Sequence, residues 1–294
     1  MKPNLNTLFF NADRRLRSGW WILIFIGSIA LTRFAYKPLT HGLKALGLAE
    51  LGLEPAPFLF TLLATWACTR LRREPLSSVG YRLDRRWFWE IAWGTLLGMG
   101  TALAVVGMIW AIGGVSFELE PARSVATLLT GLYIFLFVAL MEENLYRGFI
   151  FQRLLHGVGI WPAQIALASL FALAHWGNPG MQGSTEIVAS LDLFLGAVLL
   201  GFAYLRTRSL ALPVGLHLGW NWTQGNVLGF GVSGYDHAGW LRPSIQGQAE
   251  WLTGGAFGPE SSIFSPLVSL LMIVLLWRWK GSVAAPAEVE AARG

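Results

Sequence analysis

The sequence predicts an all-α, polytopic transmembrane helix bundle of about eight helices. Of the 294 residues, 54% are hydrophobic and only 13% are charged, whereas soluble domains carry roughly 25% charged residues. The apolar residues also form long uncharged blocks, so that residues 91–117 and 209–235 each contain no Asp, Glu, Lys or Arg. Since roughly 20 apolar residues in a helix cross a hydrocarbon core of about 30 Å, blocks of this length predict membrane spans.

Eight such spans are predicted along the chain. The second is short and the fourth is interrupted by charges, so the ends of these two are the least well defined. The predicted spans are 19–36, 55–69, 87–113, 124–155, 160–177, 187–205, 210–230 and 262–279.

The distribution of basic residues predicts the orientation of the bundle. With eight crossings, 17 of the 22 Lys and Arg residues fall on the side that carries both termini, and the basic side of a membrane protein faces the cytoplasm. The chain is therefore expected in the plasma (inner) membrane with both termini cytoplasmic. The same distribution argues against a nucleic-acid partner, because the basic residues flank apolar blocks instead of forming one patch.

The predicted organisation is a single membrane domain with two short ends. Residues 1–18 are expected to form a cytoplasmic segment, residues 19–280 the transmembrane domain, and residues 281–294 a disordered tail rich in Ala and Glu. No small-residue cleavage site follows the first apolar block, so that block is expected to be retained as a helix. The one long external stretch, 231–261, is interpreted as a surface loop in preference to a lid.

Several polar residues interrupt the apolar blocks. Ionisable groups inside a membrane cost about 2.5–3.5 kcal/mol each on insertion scales, so they usually face a cavity and have a function. The residues concerned are Glu142, Glu143 and Arg147 in the fourth span, His175 in the fifth, Asp192 in the sixth, and His217 and Asn221 in the seventh.

Helical geometry predicts different partners for the two adjacent glutamates. Glu143 and Arg147 have the i, i+4 spacing of an ion pair, with the acidic residue first. Neighbouring side chains on a helix point about 100° apart. Glu142 is therefore expected to point elsewhere, and the two glutamates are not expected to share a partner.

The seventh span places His217 and Asn221 on one face, four residues apart. Gly215 and Gly219 have the small-xxx-small spacing that lets a second backbone approach closely. His217 is only about 10 Å above the inner end of its span at Leu210, at 1.5 Å per residue, whereas Glu142 is about 20 Å above the inner end of its own span at Leu155. These residues can meet only if the seventh helix is tilted, shortened or begins deeper in the membrane.

Each polar residue also has an interpretation without chemistry. Taken alone, His175 could be a core histidine with a satisfied hydrogen bond. Asp192 could line a cavity or pair with an arginine, and the sequence leaves both readings open. His41, His156 and His237 fall in loops or at helix ends and are expected at the surface.

Three motifs resemble those of the CAAX-processing and bacteriocin-processing family of intramembrane endopeptidases (CPBP, or Abi). They are Glu-Glu-x-x-x-Arg, Phe-x-x-x-His and His-x-x-x-Asn, in that order along the chain. Here they begin at Glu142, Phe171 and His217 and lie within residues 142–221. Each motif alone is weak, but three in order on membrane helices form a specific signal. The His-Glu-x-x-His and Gly-x-Ser-x-Gly signatures of other proteases are absent from the sequence.

The resemblance implies a helix bundle whose active site lies in an internal cavity. It implies that Glu142 and His175 activate a water and that His217 and Asn221 hold the developing oxyanion, with Glu143 and Arg147 in support. In this favoured scheme no cofactor is required. A zinc-dependent version, with Glu142, His175 and His217 as ligands, is the alternative, and Asn221 favours the metal-free scheme because an amide is a poor zinc ligand.

The implied partners are membrane lipid and a peptide or protein substrate that enters from the bilayer. A prenylated CAAX-type C-terminus, a peptide pheromone and a bacteriocin leader all fit the resemblance. Two rival functions lie outside proteolysis. One is a non-catalytic bacteriocin self-immunity protein of the same family, which needs no general base. The other is a proton-coupled carrier, which predicts inverted repeats that the sequence lacks.

Overall fold

A computed structural model describes residues 8–12, 14–47 and 53–281. The described chain is mostly helical. In chain order its main elements are α1 (Ser18–Ala45), α2 (Pro55–Leu71), α3 (Arg85–Ala111), β1 (Val115–Leu119), α4 (Val125–Glu143), a π turn (Asn144–Gly148), α5 (Phe149–Val158), α6 (Ile160–Ala174), α7 (Ser184–Thr207), α8 (Ala211–Trp222), a second π turn (Thr223–Val227), β2 (Leu241–Ile245), α9 (Glu250–Thr253) and α10 (Phe264–Arg278).

These helices confirm the predicted fold class, a polytopic helical membrane bundle. Every predicted span coincides with a helix or a continuous pair of helices. Four of them are long and apolar enough to cross a membrane, namely Ser18–Ala45, Arg85–Ala111, Val125–Val158 and Ser184–Thr207. Ile160–Ala174 and Phe264–Arg278 are apolar but shorter.

The outer surface of the bundle is apolar, as expected for helices in lipid. Large hydrophobic side chains such as Trp93, Leu170 and Leu271 are exposed on three different helices. In water, contiguous exposure of this kind would drive aggregation. In a bilayer these side chains are solvated by acyl chains, so the exposed face and the helical fold are mutually consistent.

Local capping residues begin two of the long helices. The side chain of Asp84 accepts a hydrogen bond from the backbone N–H of Trp87 at 2.8 Å, and Ser124 accepts one from Thr127 at 3.1 Å. Both bonds satisfy N–H groups that the first helical turn leaves unpaired. Gly159, with φ +84°, separates α5 from α6.

Helices α3 and α8 pack through two pairs of glycines. A Cβ at Gly215 or Gly219 would overlap backbone atoms of α3, and one at Gly94 or Gly98 would overlap backbone atoms of α8. The predicted close approach at Gly215 and Gly219 therefore occurs, with a matching glycine pair on the partner helix. The two backbones are in direct contact, and this contact fixes the position of α8.

The start of α8 lies inside the protein. Residues from Ser209 to Val214 are all buried, and the backbone N–H of Leu210 donates to the carbonyl oxygen of Gly80 at 3.2 Å. The Ser209 side chain accepts from the N–H of Ala211 at 3.1 Å. Helix α8 therefore begins inside the bundle and not at its surface. A deeper start is one of the three conditions under which His217 was expected to reach Glu142.

Two features outside the main helices differ from the prediction. β1 and β2 form a two-stranded antiparallel sheet, with Val115 opposite Ile245 and Leu119 opposite Leu241, so the chain is not purely helical. Residues 231–261, interpreted from sequence as a surface loop, include β2 and α9 and contribute buried residues such as Phe257 and Glu260. Their many glycines and low charge gave no periodic signal from which this packing could be predicted.

The predicted ends of the domain are only partly described. Within the segment 1–18, Phe10 and Leu16 form an isolated antiparallel bridge. The predicted disordered tail, 281–294, lies outside the described residues except for Gly281.

Candidate functional site

One cavity of about 500 Å³ lies between α4, α6, α7 and α8. All four predicted catalytic side chains line it, namely Glu142, His175, His217 and Asn221. Three separate helical segments contribute them, so the fold brings together residues that are up to 79 positions apart in sequence. The rest of the wall is mostly apolar, with residues such as Ile134, Leu193 and Leu216.

One π turn lies within the Glu-Glu-x-x-x-Arg motif, and a second follows the His-x-x-x-Asn motif. One begins at Asn144, immediately after Glu142 and Glu143, and the other begins at Thr223, two residues after Asn221. π turns widen a helix locally and often occur at functional sites. Helix α4 continues through its π turn into α5, as the sequence predicted for the fourth span.

Glu143 is fully buried and binds two cationic or polar partners through one oxygen. Its Oε1 accepts a hydrogen bond from Arg147 Nη1 at 3.1 Å and lies 3.0 Å from His217 Nδ1. Arg147 Nη2 also donates to the carbonyl oxygen of Ala197 at 2.9 Å. The predicted ion pair of Glu143 and Arg147 is therefore present, and it is part of a larger network.

The expectation that Glu142 and Glu143 share no partner is wrong. His217 Nδ1 faces Glu143 Oε1, and His217 Nε2 lies 3.8 Å from Glu142 Oε2. The physical reason is that an imidazole has nitrogen atoms on two edges. Two carboxylates that point about 100° apart on α4 can each face one edge of the same ring.

Glu142 itself is directed into the cavity. Its side chain is 18% exposed, and its buried Oε2 has no hydrogen-bond partner among the described residues. A buried carboxylate oxygen without a partner is costly in a folded protein and commonly marks a functional site. Glu143 Oε2 also lacks a described hydrogen-bond partner, but Glu143 does not line the cavity, so Glu142 is the glutamate available to react there.

His175 is the first residue after α6, not a residue inside that helix. Its Nδ1 lies 2.8 Å from the carbonyl oxygen of Phe171, which leaves Nε2 for other partners. The Phe171 ring packs between the two histidines, 4.7 Å from the ring of His175 and 6.5 Å from that of His217. The Phe-x-x-x-His motif thus places an aromatic ring between the two histidines and leaves Nε2 of His175 available to bind.

Asp192 lines the cavity, which decides between the two readings that the sequence left open. It is buried, and its Oδ1 accepts a hydrogen bond from Ser269 on α10 at 3.0 Å. No described arginine forms an ion pair with it within 4.0 Å.

The segment 231–237 forms the outer wall of the cavity, and sequence reasoning missed it. Val232, Ser233, Tyr235 and His237 line the cavity together with Glu260. His237 was expected at the surface, but its ring packs 4.8 Å from that of Phe135. The signal that could have identified this segment is Glu260, an acidic residue between two stretches of small and apolar residues.

Glu260 is buried in the outer wall, and its carboxylate accepts three hydrogen bonds. It is 4% exposed, and burial raises the pKa of its carboxyl group above the ordinary value. Hydrogen bonds from the Ser233 side chain and backbone counteract part of that rise in the pKa, as do the nearby His175 ring and a hydrogen bond from Gln224.

The side chains do not fit the predicted zinc alternative. Within the described parts of the chain, no three His, Cys, Asp or Glu side chains gather closely enough to hold a metal ion. His217 Nδ1 is engaged by Glu143, and Nε2 is 3.8 Å from the nearest Glu142 oxygen. Because they do not form such a group, Glu142, His175 and His217 are not arranged as a ligand set in the described residues.

Comparison with known proteins identifies the segment that carries the three motifs. Residues 124–223 match the family model described as type II CAAX prenyl endopeptidase Rce1-like. This segment of the chain is similar to the Rce1-like endopeptidases. This confirms the family resemblance drawn from the motifs. A search of curated proteins and a search of solved structures each found no significant match.

The matched segment begins at the N-cap of α4 and ends one residue after α8. It therefore contains Glu142, His175, His217 and Asn221, and covers about a third of the chain. At family level the match supports a membrane-embedded endopeptidase. The outer wall and α10 lie beyond the matched residues.

Proposed function

We propose that this chain is an intramembrane endopeptidase that hydrolyses a peptide bond with a water activated by Glu142 and His175. The observation that carries the proposal is the convergence of four motif side chains on one cavity inside an apolar bundle. The unpartnered Oε2 of Glu142 within that cavity supports its role as the base. The match of residues 124–223 to an endopeptidase family supports the class of reaction.

In the proposed reaction Glu142 takes a proton from water, and the hydroxide oxygen bonds to the carbonyl carbon of the substrate. His175 holds the same water through Nε2. The C–N bond then breaks, and Glu142 passes its proton to the leaving nitrogen. The products are a new carboxylic acid and a new amine, and water is the only reactant consumed besides the peptide.

His217 and Asn221 are proposed to hold the carbonyl oxygen as it gains negative charge. The Asn221 amide can donate without any change of charge. His217 Nδ1 donates to the Glu143 carboxylate, so Nε2 carries a proton only when the ring is an imidazolium. Glu142 and Glu143 flank the ring and would balance that positive charge. Preorganised donors of this kind often supply the largest single catalytic effect.

Glu143 and Arg147 are proposed to position His217. Arg147 is anchored to the Ala197 carbonyl on α7 and holds Glu143 Oε1 at 3.1 Å. Glu143 in turn sets the plane of the His217 ring. A carboxylate that orients a histidine through Nδ1 is a recurring device in enzyme sites.

The proposed substrate is a prenylated protein C-terminus. Its support is the family description and the apolar cavity wall, where Leu193, Leu199 and Leu200 could receive a lipid chain beside the polar residues. Bacteriocin leaders are the alternative peptides. Binding alone does not require a general base, so the cavity-facing Glu142 favours an enzyme over a non-catalytic immunity protein.

The test uses purified protein in nanodiscs and a farnesylated CAAX peptide in water enriched in oxygen-18. Mass spectrometry should detect the released C-terminal fragment, with one labelled oxygen in the new carboxylate of the other product. The same peptide without the farnesyl group should be cleaved much more slowly. Absence of cleavage for every prenylated and leader peptide tried would contradict the proposal.

The orientation of both termini toward the cytoplasm of a plasma membrane is also a proposal, supported by the distribution of basic residues. A periplasm-active reporter fused after Lys280 should be inactive, and one fused at Gly239 should be active. Activity of the fusion after Lys280 would overturn this orientation.

A further inference from the structure

Glu260 has both carboxylate oxygens occupied by hydrogen bonds from two segments of the chain. Its Oε1 accepts from Gln224 Nε2 at 2.8 Å and from the backbone N–H of Ser233 at 3.0 Å. Its Oε2 accepts from the Ser233 hydroxyl at 2.9 Å. The carboxylate lies in a short turn, Pro259–Ser261, which is separated from α10 by two residues.

The partners of Glu260 connect it to both catalytic histidine regions. Gln224 lies in the π turn three residues after Asn221. Ser233 belongs to the outer wall, and its carbonyl oxygen accepts a hydrogen bond from Asn178 Nδ2 at 2.9 Å. Asn178 is three residues after His175. The chain of contacts from Asn178 to Ser233, Glu260 and Gln224 thus joins the ends of α6 and α8 across the outer wall.

We propose that Glu260 is a positioning residue that clamps the outer wall, residues 231–237, against the ends of α6 and α8 and so encloses the substrate beside the reacting groups. The inference rests on the proposed protease function. It concerns residues beyond the matched domain, because Glu260, Ser233 and Gln224 all follow residue 223.

The contacts favour a clamp over a direct role in the reaction. Three donors already engage the two oxygens of Glu260, so little capacity remains for a substrate or a water. Glycines at 254 and 258, with φ of +89° and +111°, allow the backbone to turn so that the carboxylate reaches inward. The side chain is therefore held at one place by its own turn and by its partners.

The hydrogen-bond pattern also predicts which substitutions the clamp tolerates. Glu260→Gln keeps one oxygen for Gln224 and the Ser233 N–H, and its amide group can donate to the Ser233 hydroxyl. Glu260→Ala removes every acceptor and leaves buried donors without partners, a costly change. Ser233→Ala removes only the hydroxyl bond and retains the backbone bond. The clamp should fail in Glu260→Ala, weaken in Ser233→Ala and survive in Glu260→Gln.

The first test measures opening of the wall without any assay of cleavage. Val232 is 5% exposed and lines the cavity, so Val232→Cys in a Cys68→Ala background reports access to the wall. The rate of labelling by N-ethylmaleimide in nanodiscs should rise about tenfold or more with Glu260→Ala, which corresponds to about 1.4 kcal/mol of lost closure. With Glu260→Gln the labelling rate should change less than about twofold, which corresponds to about a third of that free energy.

A matched control separates wall opening from global unfolding. Val214 on α8 is fully buried and does not line the cavity, so labelling at Val214→Cys in the same background should stay slow in every variant. Fast labelling at both positions would mean that Glu260→Ala unfolds the protein. The comparison of Ser233→Ala with Glu260→Gln then decides the question. Equal labelling of Val232→Cys in these two variants would overturn the clamp.

The second test uses the prenylated peptide. Glu260→Ala should raise KM more than it lowers kcat, because the wall encloses the substrate while Glu142 and His175 stay in place. Glu260→Gln should restore wild-type values. An unchanged KM in a well-folded Glu260→Ala protein would overturn the inference. If the wild-type protein cleaves nothing, the proposed function fails, whereas the labelling result still tests whether Glu260 holds the wall.

Discussion

The inner and outer sides of the cavity differ in how the sequence specifies them. On the inner side, Glu142, Glu143 and Arg147 lie within one helical stretch, and His217 and Asn221 lie within another. On the outer side, Ser233 and Glu260 sit in irregular segments, and the contacts that hold them join residues 27 to 55 positions apart.

This difference explains why one side was predictable. On a helix, residues three or four apart share a face, so spacing alone indicates which side chains point together. In the outer segment the backbone direction depends on glycines with positive φ and on hydrogen bonds to distant partners. The inner side therefore depends on a rigid helical frame, and the outer side on individual polar contacts.

The helical frame should be the most sensitive part of the molecule. Gly98→Leu drives a side chain into the backbone of α8, and we expect a loss above the roughly 1–3 kcal/mol typical of overpacking. Gly100→Leu on the same helix is the matched control, because no atom lies within 4 Å of its Cβ position. Folded yield by size-exclusion chromatography in detergent should collapse for the first variant and not for the second. Equal yields would show that the frame is not set by this contact.

The buried ion pair of Glu143 and Arg147 should be the next most sensitive. Arg147→Met alone leaves Glu143 buried with one fewer partner, and removing one member of a buried pair costs roughly 3–5 kcal/mol. The double variant Glu143→Gln with Arg147→Met should recover part of that stability, because neither charge is then left alone. Thermal unfolding in detergent measures the cycle.

A pair at the protein surface provides the control for this cycle. Arg86 and Glu90 have the same i, i+4 spacing, but their side chains are 39% and 13% exposed, against 4% and 0% for Arg147 and Glu143. Glu90→Gln should cost about 0–1 kcal/mol, as for exposed pairs. If Arg147→Met costs no more than Glu90→Gln, the buried network does not support α4 as described.

Substitution of Asn221 tests the proposed chemistry on the inner side of the cavity, and its expected free-energy effect is smaller than that of breaking the buried ion pair. Asn221→Ala should lower kcat about 10²–10³-fold through loss of an oxyanion donor, or roughly 2.7–4 kcal/mol of barrier. KM and thermal stability should change little. Gln164→Ala is the comparison, since Gln164 is a buried amide on α6 that lies outside the cavity. That variant should lose stability and keep its kcat. The opposite pattern would remove Asn221 from the proposed reaction.

Metal removal should have the smallest effect. Because Glu142, His175 and His217 are not arranged as a ligand set, cleavage of the prenylated peptide should continue at an unchanged rate after chelation with phenanthroline. Loss of activity that zinc restores would recast the histidines as ligands and favour the metalloprotease alternative.

The sequence was informative about the fold and about which residues face the cavity. Long uncharged blocks predicted the helices, and Gly215 with Gly219 predicted a close helix contact whose partner, α3, could not be named. The shared use of His217 by both glutamates was missed, because spacing along α4 does not reveal that an imidazole on another helix has nitrogen atoms on two edges. The role of Glu260 could not be predicted, since nothing in a local window indicates a partner such as Ser233, 27 positions away.

The account divides the adjacent glutamates into a base, Glu142, and a positioning residue, Glu143. The most direct test is kcat of purified Glu142→Gln and Glu143→Gln, each measured beside its melting temperature in nanodiscs. Glu142→Gln should melt like the wild type and lose about 10²–10⁴-fold in kcat, the usual contribution of a general base. Glu143→Gln should melt earlier and keep part of its activity. A Glu142→Gln protein with near-normal kcat, beside a stable but inactive Glu143→Gln protein, would contradict the account.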